Sequence, residues 1–160
     1  MIKKNEIVMG SSVRGGDYFS RAHGALRTYL AREGLSQTHQ RDAVLDVLLK
    51  AKRHVRLESI ANALASRGIG RVTVFRTLKL LEKAGLVDRL TDARGRSVYE
   101  MHLQRPHHDH LVCVRCSAII EVQWPTVELA QKAVCKKLNF KIISHRHEVL
   151  GLCQTCQKTP

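Results

Sequence analysis

The stretch His107-His-Asp-His-Leu-Val-Cys-Val-Arg-Cys116 decides how the rest of this chain is interpreted. It places three histidines, an aspartate and a Cys-x-x-Cys pair in one short run. A second such pair, Cys153-Gln-Thr-Cys156, follows near the end of the sequence. Four thiolates make a tetrahedral structural zinc site, whereas disulfides are rare in a reducing compartment. We therefore expect zinc bound by Cys113, Cys116, Cys153 and Cys156.

The histidine-rich half of the stretch carries nitrogen and oxygen ligands of the kind that bind exchangeable divalent metals. In an extended segment, alternate side chains point to opposite sides. His108 and His110 should therefore face one way, and His107 and Asp109 the other. One short run can thus contribute to two metal sites, and a solvated histidine cluster is the alternative. The spacing does not identify the distant residues that would complete either site.

Composition and charge narrow the class of protein. The chain has 160 residues, 44% of them hydrophobic, and a net charge of +13. Residues 1–103 hold 19 Lys/Arg against 10 Asp/Glu, which favours a polyanionic partner. No apolar run approaches the roughly 18–20 residues of a membrane span, and residues 1–17 lack the apolar core of a signal peptide. We expect a cytoplasmic protein without a membrane partner, with residues 1–17 as a mobile arm.

Hydrophobic periodicity predicts four helices between residues 18 and 85, followed by strands Leu86–Thr91 and Ser97–Met101 around a basic turn. Thr38 fits an N-cap, and Gly34, Gly68 and Gly85 fit helix ends. In the fourth helix, which starts near Arg71, the buried stripe is Val74, Leu78 and Leu81. The outward positions are Arg71, Thr73, Arg76, Thr77 and Lys79. This plan is that of a winged helix, whose last helix enters the major groove of DNA.

A change of composition at Gln104-Arg-Pro-His marks a boundary between a winged-helix domain (18–103) and a second domain (104–160). The second domain has a predicted helix at Thr126–Leu138. Its predicted strands are Leu111–Val114, Ala118–Val122, Phe140–Ile143 and His147–Leu150. Domains below about 70–80 residues usually need a metal, disulfides or a partner chain. The expected fold class is α+β, with a winged-helix DNA-binding domain followed by a small α/β dimerisation domain with a four-cysteine zinc site.

From about Leu35 to Cys156 the chain resembles the ferric uptake regulator family of metal-dependent repressors. The motifs that carry the resemblance are Thr73-Val-Phe-Arg-Thr-Leu78, His107-His-Asp-His-Leu-Val-Cys113-x-x-Cys116, Ile120-Glu121, His145 and Gly151-Leu-Cys-x-x-Cys156. The resemblance implies a homodimer that binds an inverted-repeat operator in double-stranded DNA when a regulatory divalent metal is bound. It also implies a regulator and not an enzyme.

The resemblance further implies two regulatory ligand sets. A hinge site between the domains would use His54, Glu100, His108 and His110, with Glu121 as a possible fifth ligand. A second site, within the dimerisation domain, would use His107, Asp109, Glu128 and His145. The outward face of the fourth helix, the basic tip of the hairpin and the resemblance together predict the DNA-contact residues, which are Arg71, Thr73, Phe75, Arg76, Thr77, Arg94 and Arg96.

Two departures from the family pattern bear on function. Phe75 stands where the family usually has tyrosine, which removes a hydroxyl that could contact DNA. Glu121 stands where peroxide sensors of the family typically have aspartate. The hinge set lacks the cysteine often found in or near that site in the zinc-sensing branch, which favours Fe(II) or Mn(II) over Zn(II) as the regulatory metal.

Other functions remain open from the sequence. Within the family, the alternatives are a zinc-uptake regulator and a peroxide sensor. A metal-dependent hydrolase using the His/Asp cluster belongs to a different class. The sequence contains neither a His-Glu-x-x-His motif nor a nucleophile elbow, which disfavours the hydrolase. A zinc-stabilised interaction module without a DNA role is disfavoured by the basic fourth helix.

Overall fold

The computed structural model describes residues 15–51, 54–102 and 107–158, which form two compact units. Residues 15–91 and 95–102 belong to the first unit, and residues 92–94 and 107–158 to the second. Residues 1–14 of the expected N-terminal arm and the expected boundary at residues 104–106 lie outside the described residues. None of the described helices combines the length and the apolar character needed to cross a bilayer.

The first unit is a winged helix, as the sequence predicts. Its elements are α1 (Gly15–Arg32), α2 (His39–Lys50), β1 (Val55–Arg56), α3 (Leu57–Leu64), a 3₁₀ turn (Ala65–Arg67), α4 (Arg71–Lys83), β2 (Val87–Thr91) and β3 (Ser97–Met101). The strands form an antiparallel sheet in the order β1-β3-β2. The sequence analysis does not predict strand β1, because two residues are too few to give a periodic signal.

Local signals set the helix ends where the sequence predicts them. The Thr38 hydroxyl accepts a hydrogen bond from the Arg41 N–H (3.3 Å) and caps α2. Gly85 ends α4 in the left-handed region (φ 69°), and the Leu86 N–H donates to the Leu81 carbonyl (3.0 Å). Helix α1 begins at Gly15, three residues before the predicted start, and Asp17 lies in its first turn, where a carboxylate is favourable.

The core of the first unit lies where α1 to α4 pack with the sheet, and it confirms the predicted stripe of α4. Val74, Leu78 and Leu81 are fully buried. The predicted outward position of Thr77 is wrong, since this residue is only 4% exposed. Thr77 follows Val74 by three residues and precedes Leu78 by one, so the helical period places it beside the buried stripe.

The second unit is a three-stranded sheet with two helices. Its elements are β4 (Asp109–Cys113), β5 (Ile119–Val122), α5 (Pro125–Lys137), β6 (Glu148–Gly151) and α6 (Gln154–Gln157). Strand β4 is central, antiparallel to β5 and parallel to β6. The short helix α6 is too brief for periodicity to predict.

The predicted strand Phe140–Ile143 is wrong. This segment has no regular structure, and Phe140 and Ile143 are 67% and 93% exposed. Asn139 turns the chain in a left-handed conformation (φ 50°) after α5, and no described strand lies beside the segment. The prediction relied on the apolar residues of the segment alone, and a strand also needs a neighbouring strand with which to form hydrogen bonds.

The second unit has a thin core. Among its described residues, the buried apolar side chains are Val112, Cys113 and Cys156. Helix α5 buries none of its residues fully. This agrees with the expectation that the unit needs a metal or a partner chain for stability.

The buried stripe of α4 gives a stability prediction for the first unit. Leu78→Ala should lower the free energy of unfolding by about 2–5 kcal/mol, because it leaves a cavity in the core. Val72→Ala on the same helix is the matched control, since Val72 is 62% exposed and its loss should change stability by less than about 0.5 kcal/mol. Urea unfolding followed by circular dichroism measures both, and equal effects would contradict the assignment of the buried face.

Candidate metal centres

The strand pairing of the second unit brings the two Cys-x-x-Cys pairs together. Strand β4 ends at Cys113, which pairs with Gly151 at the end of the parallel strand β6. Beyond this point the Val114 N–H donates to the Gly151 carbonyl at 2.8 Å. One cysteine pair therefore follows each of two adjacent strands at the same edge of the sheet. Ligand atoms of all four cysteines lie within 4.8 Å of one another.

The chemistry of the four cysteines fits a zinc ion. All four are free thiols, and the Sγ atoms of Cys116 and Cys153 are 3.7 Å apart. The pKa of Cys113 is lowered to about 6, chiefly by a backbone hydrogen bond from Cys116 and then by one from Cys153. The pKa of Cys156 is raised to about 12 by its hydrogen bond with the Cys153 thiol and by burial. These hydrogen bonds favour the thiolate form of Cys113, and a bound cation would favour deprotonation of the other three cysteines.

Arg115 is a structural contributor that sequence reasoning missed. Its Nη1 donates to the carbonyl of Cys156 at 2.7 Å and so links the two cysteine pairs. The residue lies inside the first Cys-x-x-Cys pair, but its acceptor is distant in sequence. Nothing in the local pattern predicts this contact.

A second group of ligand atoms lies at the other end of β4. His107, Glu128 of α5 and His145 converge within 4.8 Å, and His145 Nε2 is 2.7 Å from Glu128 Oε1. Both atoms are buried, and neither has a hydrogen-bond partner despite this short distance. Such an arrangement is expected of groups that bind a cation. Asp109, the fourth predicted ligand, contacts His107 at 3.2 Å. The donor set therefore fits a divalent metal.

Each unit contains one part of the predicted hinge set. In the first unit, His54 Nε2 lies 3.3 Å from Glu100 Oε1, because the pairing of β1 with β3 brings the two residues together. In the second unit, the rings of His108 and His110 are 4.9 Å apart, and His110 pairs with Glu121 across β4 and β5. The alternation along β4 places His108 with His110 and His107 with Asp109, as predicted.

The predicted contact residues of α4 differ in their surroundings. Phe75 is 46% exposed, and Arg76 is exposed without a hydrogen bond or ion pair among the described residues. Arg71 is exposed but donates to Glu58 Oε1 at 2.8 Å. Exposed ion pairs of this kind contribute little stability, so Arg71 can exchange this partner for another anion at small cost.

The turn between β2 and β3 presents two further basic residues. Arg94 is exposed, and its backbone N–H donates to the Asp92 carboxylate at 2.9 Å, which shapes the turn. Gly95 adopts φ 73° at the next position. Arg96 is half-buried and precedes β3. The hairpin with a basic tip is therefore present as the sequence predicts.

Comparison with known proteins identifies the family. Residues 32–150 match the ferric uptake regulator family. A ferric uptake regulation protein of Legionella pneumophila is 39% identical over 127 residues, covering 78% of this chain and 93% of that protein. The ferric uptake regulator Fur of Helicobacter pylori, whose structure is described as revealing three functional metal-binding sites, matches with a TM-score of 0.77 and 30% identity, covering 88% of this chain and 95% of that chain.

A further solved structure, the ferric uptake regulator of Pseudomonas aeruginosa with manganese, matches with a TM-score of 0.70 and 30% identity. The match covers 80% of this chain and 97% of the Pseudomonas aeruginosa chain. The family match spans most of the chain, and the Legionella relative is similar over nearly its whole length. With its winged helix and its clusters of metal-ligating residues, this chain belongs to the ferric uptake regulator family of metal-responsive transcription regulators.

Proposed function

We propose that this chain is a cytoplasmic repressor that binds an inverted-repeat DNA operator as a homodimer when a regulatory divalent metal is bound. Fe(II) and Mn(II) are the first candidates, with Zn(II) as the alternative. The observation that carries the proposal is the division of one ligand set between two units. His54 and Glu100 belong to the first unit, and His108, His110 and Glu121 to the second. Membership of a regulator family favours this function over a metal-dependent hydrolase.

The hinge residues would act by restricting the arrangement of the two units. His54 and Glu100 are held by the sheet of the winged helix, whereas His110 and Glu121 are held by paired strands of the second unit. A cation bound by both groups would restrain one unit relative to the other. A ligand shifts such an equilibrium only by its difference in affinity between the two states, and shared ligation provides that difference.

The homodimer is supported by exposed apolar side chains of the second unit. Exposed patches of this kind mark protein–protein contacts, and a second copy of the chain would bury them. A twofold dimer also matches the symmetry of an inverted repeat. The side chains concerned are Leu129, Val134, Leu138, Phe140, Ile143, Val149 and Leu150.

The DNA contact is supported by the exposed face of α4 and by the basic turn after β2. Arg76 is an exposed cation on the helix that a winged helix inserts into the major groove. Arg94 and Arg96 at the turn would contact phosphate or the minor groove. The four cysteines would hold a structural zinc, and His107, Asp109, Glu128 and His145 would form a second site for a divalent metal.

The four-cysteine cluster gives the first prediction from this proposal. Cys113→Ser or Cys153→Ser should lose the structural zinc and destabilise the second unit and the dimer, because the thin core remains without its cross-link. Removing a direct ligand should weaken zinc binding by more than the about 10–100-fold typical of an outer-sphere partner. Cys135→Ser on α5, outside the cluster, is the control. Metal analysis with thermal unfolding and mass measurement tests this, and a folded, dimeric, zinc-loaded Cys113→Ser protein would contradict it.

The hinge set gives the second prediction. His54→Ala or Glu100→Ala should abolish the metal-induced gain in operator affinity, typically about 5–150-fold in allosteric proteins, while the dimer and its zinc remain. His145→Ala and Glu128→Ala should act more mildly, because that cluster lies within one unit. Metal-titrated DNA binding of the four variants, with dimer mass checked in parallel, is the measurement. A normal metal response of His54→Ala together with an inactive His145→Ala would place regulation in the second unit instead.

The basic residues give the third prediction. Arg76→Ala should weaken operator binding. The Arg94→Ala/Arg96→Ala double variant should reduce the slope of log affinity against log salt by about 0.9 for each phosphate that the wing no longer neutralises. Lys132→Ala on the exposed side of α5 removes a positive charge from the second unit and serves as the control. Identical salt slopes for the double variant and the unmodified protein would argue against the wing as a DNA contact.

A further inference from the structure

Arg115 contacts both cysteine pairs, although its side chain is not a metal ligand. Its backbone N–H donates a hydrogen bond to the Cys113 sulfur. Its guanidinium Nη1 donates to the Cys156 carbonyl at 2.7 Å, across 41 positions of sequence. The first contact lies within one Cys-x-x-Cys pair, and the second reaches the other pair. Arg115 therefore connects the two halves of the cluster through protein atoms alone.

Helix α6, which carries Cys156, depends on contacts from outside itself. It has four residues (Gln154–Gln157), and a helix this short is not stable in isolation. The Cys156 carbonyl lies in its last turn, where backbone carbonyls lack a partner within the helix. An arginine side chain that donates to such a carbonyl acts as a C-terminal cap. The Arg115 guanidinium thus holds the end of the helix that positions the Cys156 sulfur.

The positive charge of Arg115 also suits a loaded four-cysteine site. Four thiolates outweigh the charge of one divalent zinc ion, so the occupied site is negatively charged. A guanidinium group beside the site offsets part of this charge, and its hydrogen bonds are stronger than those of a neutral donor. The contact with the Cys156 carbonyl uses no ligand atom, so it does not compete with zinc for a sulfur.

We propose that Arg115 is a positioning residue of the zinc site, and that its side chain slows the loss of zinc by holding Cys156 within reach of the metal. The inference rests on the proposed structural zinc and adds a residue that is not a ligand. A thiolate that dissociates from a metal rebinds at a rate set by its effective concentration near that metal. While Arg115 holds α6, this concentration stays high for Cys156. Without the side chain, α6 moves away more often, and a competing chelator gains access to the metal.

Three substitutions separate the possible roles of this side chain. Arg115→Gln removes the charge and shortens the side chain, whereas Arg115→Lys keeps the charge and a flexible donor group. Lys158→Gln is the matched control. Lys158 is exposed at the end of α6, two residues from Cys156, and its loss changes the net charge by the same amount. All three variants retain the four cysteines and the backbone N–H that donates to Cys113.

The first measurement is the rate at which the full-length protein, loaded with one equivalent of zinc per chain, releases zinc to an excess of a chromogenic chelator. Arg115→Gln should release zinc about 10–100-fold faster, which is the loss of affinity typical when a partner of a ligand is removed. Arg115→Lys should fall between Arg115→Gln and the unmodified protein, and Lys158→Gln should match the unmodified protein. An unchanged rate in Arg115→Gln overturns the inference. Equal acceleration in Lys158→Gln also overturns it, because the effect is then one of overall charge.

The second measurement locates the change within the cluster. The zinc-loaded proteins are treated briefly with iodoacetamide, and the labelled fraction of each cysteine is determined by peptide mass spectrometry. Arg115→Gln should raise the labelling most at Cys156, because the helix that carries Cys156 is the one released. Cys135, outside the cluster, is the internal reference. An equal increase at all four cluster cysteines indicates a loss of stability of the whole unit and overturns the positioning role.

The unmodified protein separates this inference from the proposed zinc site itself. Zinc that survives dialysis of the unmodified protein and is lost from Cys113→Ser supports the four-cysteine site. If the unmodified protein retains no zinc, the proposed structural zinc fails, and the role of Arg115 fails with it. If zinc is retained equally by the unmodified protein and by Arg115→Gln, the zinc site stands and only the role of Arg115 is overturned.

Discussion

The four-cysteine cluster is the interaction on which the second unit depends. Val112 is one of very few buried apolar side chains among the described residues of this unit, so burial of apolar area alone gives little stability. The cluster lies where β4 and β6 end, and a metal ion bound by its four cysteines would close the long chain segment between Cys116 and Cys153. Cross-linking a long segment restricts the unfolded chain, and metal-binding free energy adds to the free energy of folding. A metal bound there would stabilise the end of β4, the strand that also carries other candidate metal ligands.

Strand β4 serves as a common support for three groups of ligands. Its end carries Cys113 into the cysteine cluster, while the residues at its start alternate between two sides. His110 is the register partner of Glu121 in the neighbouring strand β5. His107 lies beside Glu128 of α5 and His145. The spacing between these groups is fixed by a backbone that is hydrogen-bonded on both sides. Proposed regulation and structural stability therefore share a strand, which explains how a small unit can present several metal-ligating clusters.

Helix α4 divides its surface between folding and recognition. Val74, Leu78 and Leu81 stabilise the winged helix, and Arg76 and Phe75 lie on the exposed side. Thr77 lies at the border between the two sides: it is 4% exposed and lines a cleft together with residues of α2.

The sequence alone determined the features that depend on neighbouring residues. These include the capping of α2 by Thr38, the left-handed stop at Gly85, the alternation along His107–His110 and the buried stripe of α4. The spacing of the cysteines also predicted that all four would come together in one metal site, because two Cys-x-x-Cys pairs in one chain are typical of zinc binding.

Only the tertiary structure decided which distant residues meet. It paired β6 with β4 in parallel, set Glu128 against His145, linked Arg115 to Cys156, left Phe140–Ile143 without a strand partner and buried Thr77 between two helices. Local patterns depend on a few adjacent dihedral angles and on the helical or strand period. Contacts across many residues depend instead on the packing of whole elements, which the period of any single segment does not encode.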